Sequence, residues 1–194
     1  MQLKKKSNIL LKKILNKKCH VLKYTKDTLR KLPKADVHNH FHLGGSQKKL
    51  VQNYPNAQVR FPKAYDGIDG MINFIYGHLN QILLTERDVI NFMEMSIKSS
   101  IDDHITHLEA SVDVGLCRFF DASIHGLIAE VKRIKEKYKS KIDFKPDIGI
   151  NKDLQVDKVL LYSDACMSSG VFNGIDIYGK EDRQNLSHFN ELYK

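Results

Sequence analysis

The chain has 194 residues, 42% of them hydrophobic and 28% charged, with 11 Gly and 4 Pro. That is enough for one domain with a real core and too little for two large ones. The formal charge of +8 is unevenly placed: residues 1–34 hold twelve Lys/Arg against the single acid Asp27, leaving a remainder with 19 basic and 22 acidic residues. The body is therefore mildly acidic and carries a basic N-terminal arm. Cys19, Cys117 and Cys166 are odd in number, scattered and without a CxxC pair, which argues against a disulfide scaffold and for free thiols in a reducing compartment. No apolar run approaches the roughly 20 residues that span a bilayer. The segment Ile9–Leu15 is short, interrupted by lysines and lacks a small-residue cleavage site, unlike a secretory signal. Cytoplasmic residence is the expectation.

In chain order, Leu11, Ile14, Leu15, Cys19 and Leu22 fall at helical spacing with lysines on the other flank, predicting a basic amphipathic helix within an arm of residues 1–32. Such a helix is most simply solvated on one face and docked on the other; contact with nucleic acid or an anionic membrane is the sharper alternative. Pro33 marks the start of a first strand, Lys34 to Phe41. Ser46 is placed to cap a short helix to Tyr54. A longer helix follows, with Ile68, Met71, Ile72, Ile75, Leu79, Ile82 and Leu83 on one face. Thr85 and Asp88 have capping-box spacing at the head of the next helix, whose apolar face carries Val89, Phe92, Met93, Ile97 and Ile101.

Ile105–Val112 reads as a second strand with His107 and Glu109 on one face, and Ser123–Lys139 as an amphipathic helix. Ile142 to Ile150 forms a third strand, expected to be kinked or interrupted at Pro146. Leu154–Ser168 is helical, Val171–Ile177 is a fourth strand, and Asn185–Tyr193 begins another helix. Strands alternating with helices predict a parallel sheet of βα units in residues 33–194.

The chemistry concentrates in Lys34-Ala-Asp-Val-His-Asn-His-Phe-His-Leu-Gly-Gly-Ser46. Alternation along a strand would point His38, His40 and His42 to one side. Imidazoles so spaced can share Zn²⁺ or a similar transition metal, with Zn–N of about 2.0–2.1 Å. A polar strand end with solvated histidines is the plainer reading, but three histidines in five residues favour metal. The spacing by itself implies a metal-dependent hydrolase and no more. No Ser or Cys sits in a Gly-rich elbow, so a nucleophilic mechanism has no support.

Two motifs together carry a resemblance. Leu32-Pro-Lys-Ala-Asp-Val-His-Asn-His, followed by Leu-Gly-Gly-Ser46, resembles the opening of the adenosine/AMP deaminase family within the metal-dependent amidohydrolases. Gly174-Ile-Asp-Ile-Tyr-Gly-Lys-Glu181 is similar to that family's Gly-Ile-Asp-Leu-Ala-Gly-Asp-Glu. Between them, Thr106–Val112 sits where the family has its second barrel strand.

The resemblance implies the N-terminal half of a (β/α)8 barrel, with about four parallel strands and a single zinc at their C-terminal ends. The implied activity is hydrolytic deamination of an aminopurine nucleoside, adenosine to inosine, by zinc-activated water. Matched from Lys34-Ala-Asp-Val, the zinc ligands are His38 and His40; matched from Leu-Gly-Gly-Ser, they are His40 and His42. The first is favoured, because the strand fixes the register and insertions belong in the loop. His42 then falls where the family often contacts the ribose, and Gly179 matches the glycine whose backbone meets the purine. Glu109 and Asp113 are strand-end polar groups, more simply read as salt-bridge partners.

The family's remaining zinc histidine, its acid/base Glu, a further His and a late Asp pair have no counterpart in these residues. The 194 residues are accordingly expected to be a fragment, inactive alone, with two histidines a weak zinc site. A second polypeptide could complete the barrel. The competing readings are another zinc-dependent amidohydrolase, and a non-catalytic half-barrel using its basic arm on RNA or membrane.

Overall fold

The computed structural model of the chain describes residues 25–179 together with Ser187, Phe189 and Asn190. The basic helix anticipated around Leu11–Leu22 lies outside them; of the basic arm, only residues 25–32 are described. The closing helix anticipated at Asn185–Tyr193 also lies outside, apart from those three residues. The chain divides into two units between Leu32 and Pro33. In the first, α1 (Lys26–Lys31) is capped by Thr25, whose side chain accepts the Thr28 N–H at 3.1 Å.

The second unit carries β1 (Lys34–His40), α2 (Gln47–Asn53), α3 (Gly67–Phe74), α4 (Glu86–Asp102) and β2 (Ile105–Asp113). It continues with α5 (Ile124–Tyr138), β3 (Asp143–Asn151), α6 (Val156–Ser168) and β4 (Gly174–Tyr178). All adjacent strands pair in parallel, in the order β1-β2-β3-β4. Helices alternate with strands as in half of a (β/α)8 barrel.

The sheet buries one face. Leu108, Ala110 and Val112 of β2 alternate with the polar residues between them, as do Phe144, Ile148 and Ile150 of β3; all six are 2% exposed or less. They pack with Val89, Phe92, Met93 and Ile97 of α4, Leu127, Val131 and Ile134 of α5, and Val159 and Cys166 of α6. Each large side chain so buried contributes about 1.5–3 kcal/mol. The opposite, polar face is the interior of the half-barrel.

The anticipated caps are present. Ser46 accepts the Lys49 N–H at 3.3 Å, and Thr85 with Asp88 forms a complete capping box. Three elements differ from expectation. The helix at Gly67 ends at Phe74 and widens into one π-turn, Ile75–Leu79. Its anticipated apolar face is buried only in its later part: Ile68 is 56% and Met71 38% exposed, whereas Leu83 is buried, Leu79 and Ile82 pack against the core, and Phe74, outside the stripe, is buried as well. Gly67, Gly70 and Gly77 weaken a regular helix here, and the wide turn shifts the 3.6-residue stripe.

β3 runs through Pro146 without a break. The Pro146 carbonyl accepts from the Asn173 N–H at 2.8 Å, one residue before β4 begins. A strand residue's N–H and C=O leave on the same side in a parallel ladder. The donor that proline lacks therefore faces a place where there is no strand to receive it. β4 itself starts at Gly174 rather than Val171, because Val171 is a buried core residue of the preceding loop. No described helix is long and apolar enough to cross a membrane.

Candidate active site

The site grows from an irregularity in β1. Asp36 pairs with Leu108 and Asn39 with Ala110, so Val37 and His38 stand opposite the single residue Glu109. This is a bulge, the device that re-aims side chains at barrel rims. The Asp36 carboxylate fastens it, accepting the His38 N–H at 3.3 Å and the Asn39 side-chain amide at 2.8 Å. His40 then pairs with Ser111 at the C-terminal end of the sheet.

At Phe41 the strand ends. Phe41 is fully buried against Phe144, ring centroids 4.6 Å apart, and opens a 3-10 turn over Phe41–Leu43. His42 therefore leaves the strand's alternation, and the expectation that all three histidines share one strand face does not hold. Burying the aromatic ring between them turns the chain. The structure instead brings His38 and His40 together with Asp176 of β4: one donor atom from each, all within 4.8 Å of one another. The two imidazoles meet edge-on, centroids 5.7 Å apart.

Tyr178, two residues beyond Asp176 and so on the same side of β4, stands edge-on to His40 at 5.1 Å. Its hydroxyl lies near the carboxylate of Asp113, the last residue of β2. Burial holds the His40 pKa below its usual value; Asp176 and Asp113 pull the other way and His38 adds to the lowering. A neutral His40 offers a lone pair to a metal. Burial brings His42 down to about 4 in spite of Asp113, and its Nδ1 is enclosed without a hydrogen-bond partner among the described residues. The Tyr178 phenol is pushed up, first by burial and then by the Asp113 carboxylate. Asp147 of β3 is raised by burial and by the carboxylates of Glu109 and Asp176.

Two further buried polar atoms on this face lack a described partner: Ser111 Oγ and Asp176 Oδ2. Buried polar atoms are nearly always hydrogen-bonded, so a cluster of exceptions calls for a reason. Two imidazoles and a carboxylate with a free oxygen form a donor set that suits Zn²⁺. The residues present fit that metal.

Gly179 closes β4 with φ of 125°, a conformation that a side chain would strain, beside Asn151 and Lys152. Glu109 is committed to His107, whose Nε2 lies 3.0 Å from it and whose Nδ1 lies 3.0 Å from Asp143. Asp113 accepts the Gly115 N–H at 2.7 Å, with the Tyr178 hydroxyl nearby. Asp176, Tyr178 and Asp147 were not singled out from sequence. The signal for the first two lies in Gly174-Ile-Asp-Ile-Tyr178: period-two alternation with the apolar Ile175 and Ile177 toward the helices leaves Asp176 and Tyr178 on the interior side.

No family model matches the chain. A protein of Treponema pallidum, whose name assigns it provisionally to adenosine/adenine deamination, is 28% identical over 165 residues, covering 85% of this chain and 55% of its own length. Among solved structures, an amidohydrolase from Burkholderia ambifaria with bound zinc matches with a TM-score of 0.63 and 15% identity, over 90% of this chain and 52% of that one. An adenine deaminase from Arthrobacter aurescens matches at 0.60 and 15% identity, over 83% and 53%. The chain thus spans about half the length of the proteins it matches. The fold is that of half of a (β/α)8 barrel, like the matching part of those structures. In sequence, the chain is similar to a protein named for adenosine/adenine deamination, and its match covers only part of that protein.

Proposed function

We propose that residues 33–194 supply the metal-binding half of a zinc-dependent deaminase acting on an aminopurine such as adenine, adenosine or its 5′-phosphate, with residues 1–32 a separate basic arm. The observation that carries this is the convergence of the His38 and His40 donors at the C-terminal end of the sheet. There (β/α)8 enzymes keep their chemistry. Bound there, Zn²⁺ would supply a water acidified toward neutral pH.

The chain's own residues do the holding and orienting. The bulge fastened by Asp36 aims His38, and burial keeps His40 unprotonated as a donor. Tyr178 braces the His40 ring from the side. Gly179 would present backbone at the β4 end to a flat purine edge, and His42 would face the sugar. The acid/base group and further ligands would come from the other half of the barrel, carried on the same polypeptide or on a second one.

The test is a fusion of this chain to the C-terminal half of the Treponema pallidum relative, loaded with zinc and assayed for ammonia. Release from adenine, adenosine or AMP is expected, with the unfused 194 residues no better than a His40→Ala control. A fusion that holds zinc yet hydrolyses only simple amides would move the chain to another amidohydrolase activity.

A further inference from the structure

The two-histidine site read from the sequence is too poor in ligands to retain zinc by itself, since protein sites ordinarily supply three or four donors. We infer that Asp176 is a third metal donor and that this half-barrel holds a zinc-like divalent cation unaided by the rest of a barrel. This rests on the deaminase reading only in taking His38 and His40 as the other two donors.

Three independent features place Asp176 in that role. Its donor atom lies within 4.8 Å of those of both histidines. Ligands about 2.0–2.1 Å from a tetrahedral zinc lie roughly 3.4 Å from one another, a difference that side-chain rotation spans. Its Oδ2 is buried with no hydrogen-bond partner among the described residues. Carboxylate oxygens are acceptors only, so such an atom is satisfied by a donor or a cation. Finally, the backbone fixes its position. Asp176 pairs with Gly149 in the middle of the β3–β4 ladder, not at a frayed end.

A second carboxylate nearby, Asp147, is the rival. It lies against Gly174, where a Cβ would come within 2.6 Å of its Oδ1, and it does not share the convergent donor set. Its negative charge near Asp176 nevertheless adds to the attraction for a cation.

The experiment uses the 194-residue chain stripped with a chelator, then titrated with zinc against a chromophoric competitor and with Co²⁺ for its visible d–d bands. Wild type is expected to bind one equivalent. Asp176→Asn should weaken zinc at least tenfold and change the Co²⁺ band intensity, while Asp147→Asn stays within threefold of wild type. The metal-free melting temperature of Asp176→Asn should equal or exceed that of wild type, because the amide replaces an oxygen that no protein group was satisfying.

Wild-type affinity in Asp176→Asn, with loss in His38→Ala and His40→Ala, would overturn the inference and leave the histidine pair standing. Zinc retained by both histidine variants would instead overturn the pair itself and the deaminase reading with it. A tenfold loss in Asp147→Asn but not in Asp176→Asn would give the role to Asp147. Reduced metal-free stability in Asp176→Asn, with no change in the Co²⁺ spectrum, would make Asp176 a structural residue and overturn the proposal.

Discussion

Two carboxylates in this molecule sit in opposite circumstances. Glu94, on the outward-packed helix α4, is 9% exposed and surrounded by donors: Lys137 at 2.5 Å, Arg133 at 3.1 Å, the Tyr138 hydroxyl at 3.0 Å and Lys98 at 3.3 Å. Asp176, on the interior face of β4, has a buried oxygen with no described partner. The first arrangement clamps α4 to α5 and has no chemistry left to perform. The second leaves acceptor capacity unused, in the same few ångströms as two imidazoles. Satisfied charge marks where this fold is held together, and unsatisfied charge marks where it is prepared for a ligand.

The largest effect that would break this comparison is on Glu94. Burial alone would raise its pKa, but hydrogen bonds from Lys137, Arg133, Tyr138 and Lys98 overcome that and bring it from 4.5 to about 2. A folded-state pKa below the unfolded one contributes stability above pH 4.5 that is lost as pH falls toward 2. Glu94→Gln should therefore cost about 2–3 kcal/mol at pH 7. In urea unfolding the gap to wild type should close steadily between pH 5 and pH 2.5, as an order-of-magnitude expectation. If metal-free Asp176→Asn proved as damaging at pH 7 as Glu94→Gln, the contrast between the two sites would collapse.

A smaller effect is expected at Gly179. Its φ of 125° lies where an L-residue is strained, so Gly179→Ala should destabilise the chain by about 1–3 kcal/mol. Because this residue ends β4 beside the candidate site, the same substitution in the zinc-loaded fusion should weaken purine binding. The capping box gives a control without functional consequence. Thr85→Ala removes the acceptor of the Asp88 N–H at 3.2 Å and should cost about 1 kcal/mol, with zinc affinity unchanged.

How far the sequence reached follows from the period of each element. Strands and helices with one apolar face, such as β2, α4 and α5, were legible because burial on one side writes the period into the residues. Positions set by a single backbone event were not. The bulge at Val37–His38 depends on the pairing with Glu109, which no local pattern encodes. The turn at Phe41 takes His42 off the strand although the His-Asn-His-Phe-His run alternates without a break. At Gly67–Leu83 the stripe was legible in its later part, where Leu79, Ile82 and Leu83 pack on the core, but not at Ile68 and Met71, where glycines and a π-turn interrupt the regular helix. Asp176 is the instructive miss. It stands inside the Gly174–Glu181 motif, yet its significance depends on a neighbour more than 130 residues earlier in the chain, brought close only by the parallel order of the strands.

The smallest expected effect sharpens the comparison within the interior face itself. His107, toward the N-terminal end of β2, has both ring nitrogens engaged, by Glu109 and Asp143 at 3.0 Å each. Hydrogen bonds to these two carboxylates raise its pKa above 6.5, with burial opposing them only weakly. Asp143 is held correspondingly low, first by Lys145 and then, against a small burial cost, by His107. A histidine whose folded pKa is raised contributes stability below pH 6.5 that is lost as pH rises through the folded value. The group is too exposed for that contribution to be large. The difference in stability between wild type and His107→Gln should therefore be modest at low pH and vanish as pH rises through the folded-state pKa, while the His107 ring protons titrate above the ordinary imidazole value by NMR. Because both nitrogens are already paired, added zinc should leave those resonances in place; a zinc-induced shift at His107 would mean that the interior face binds its cation at the wrong end of the sheet.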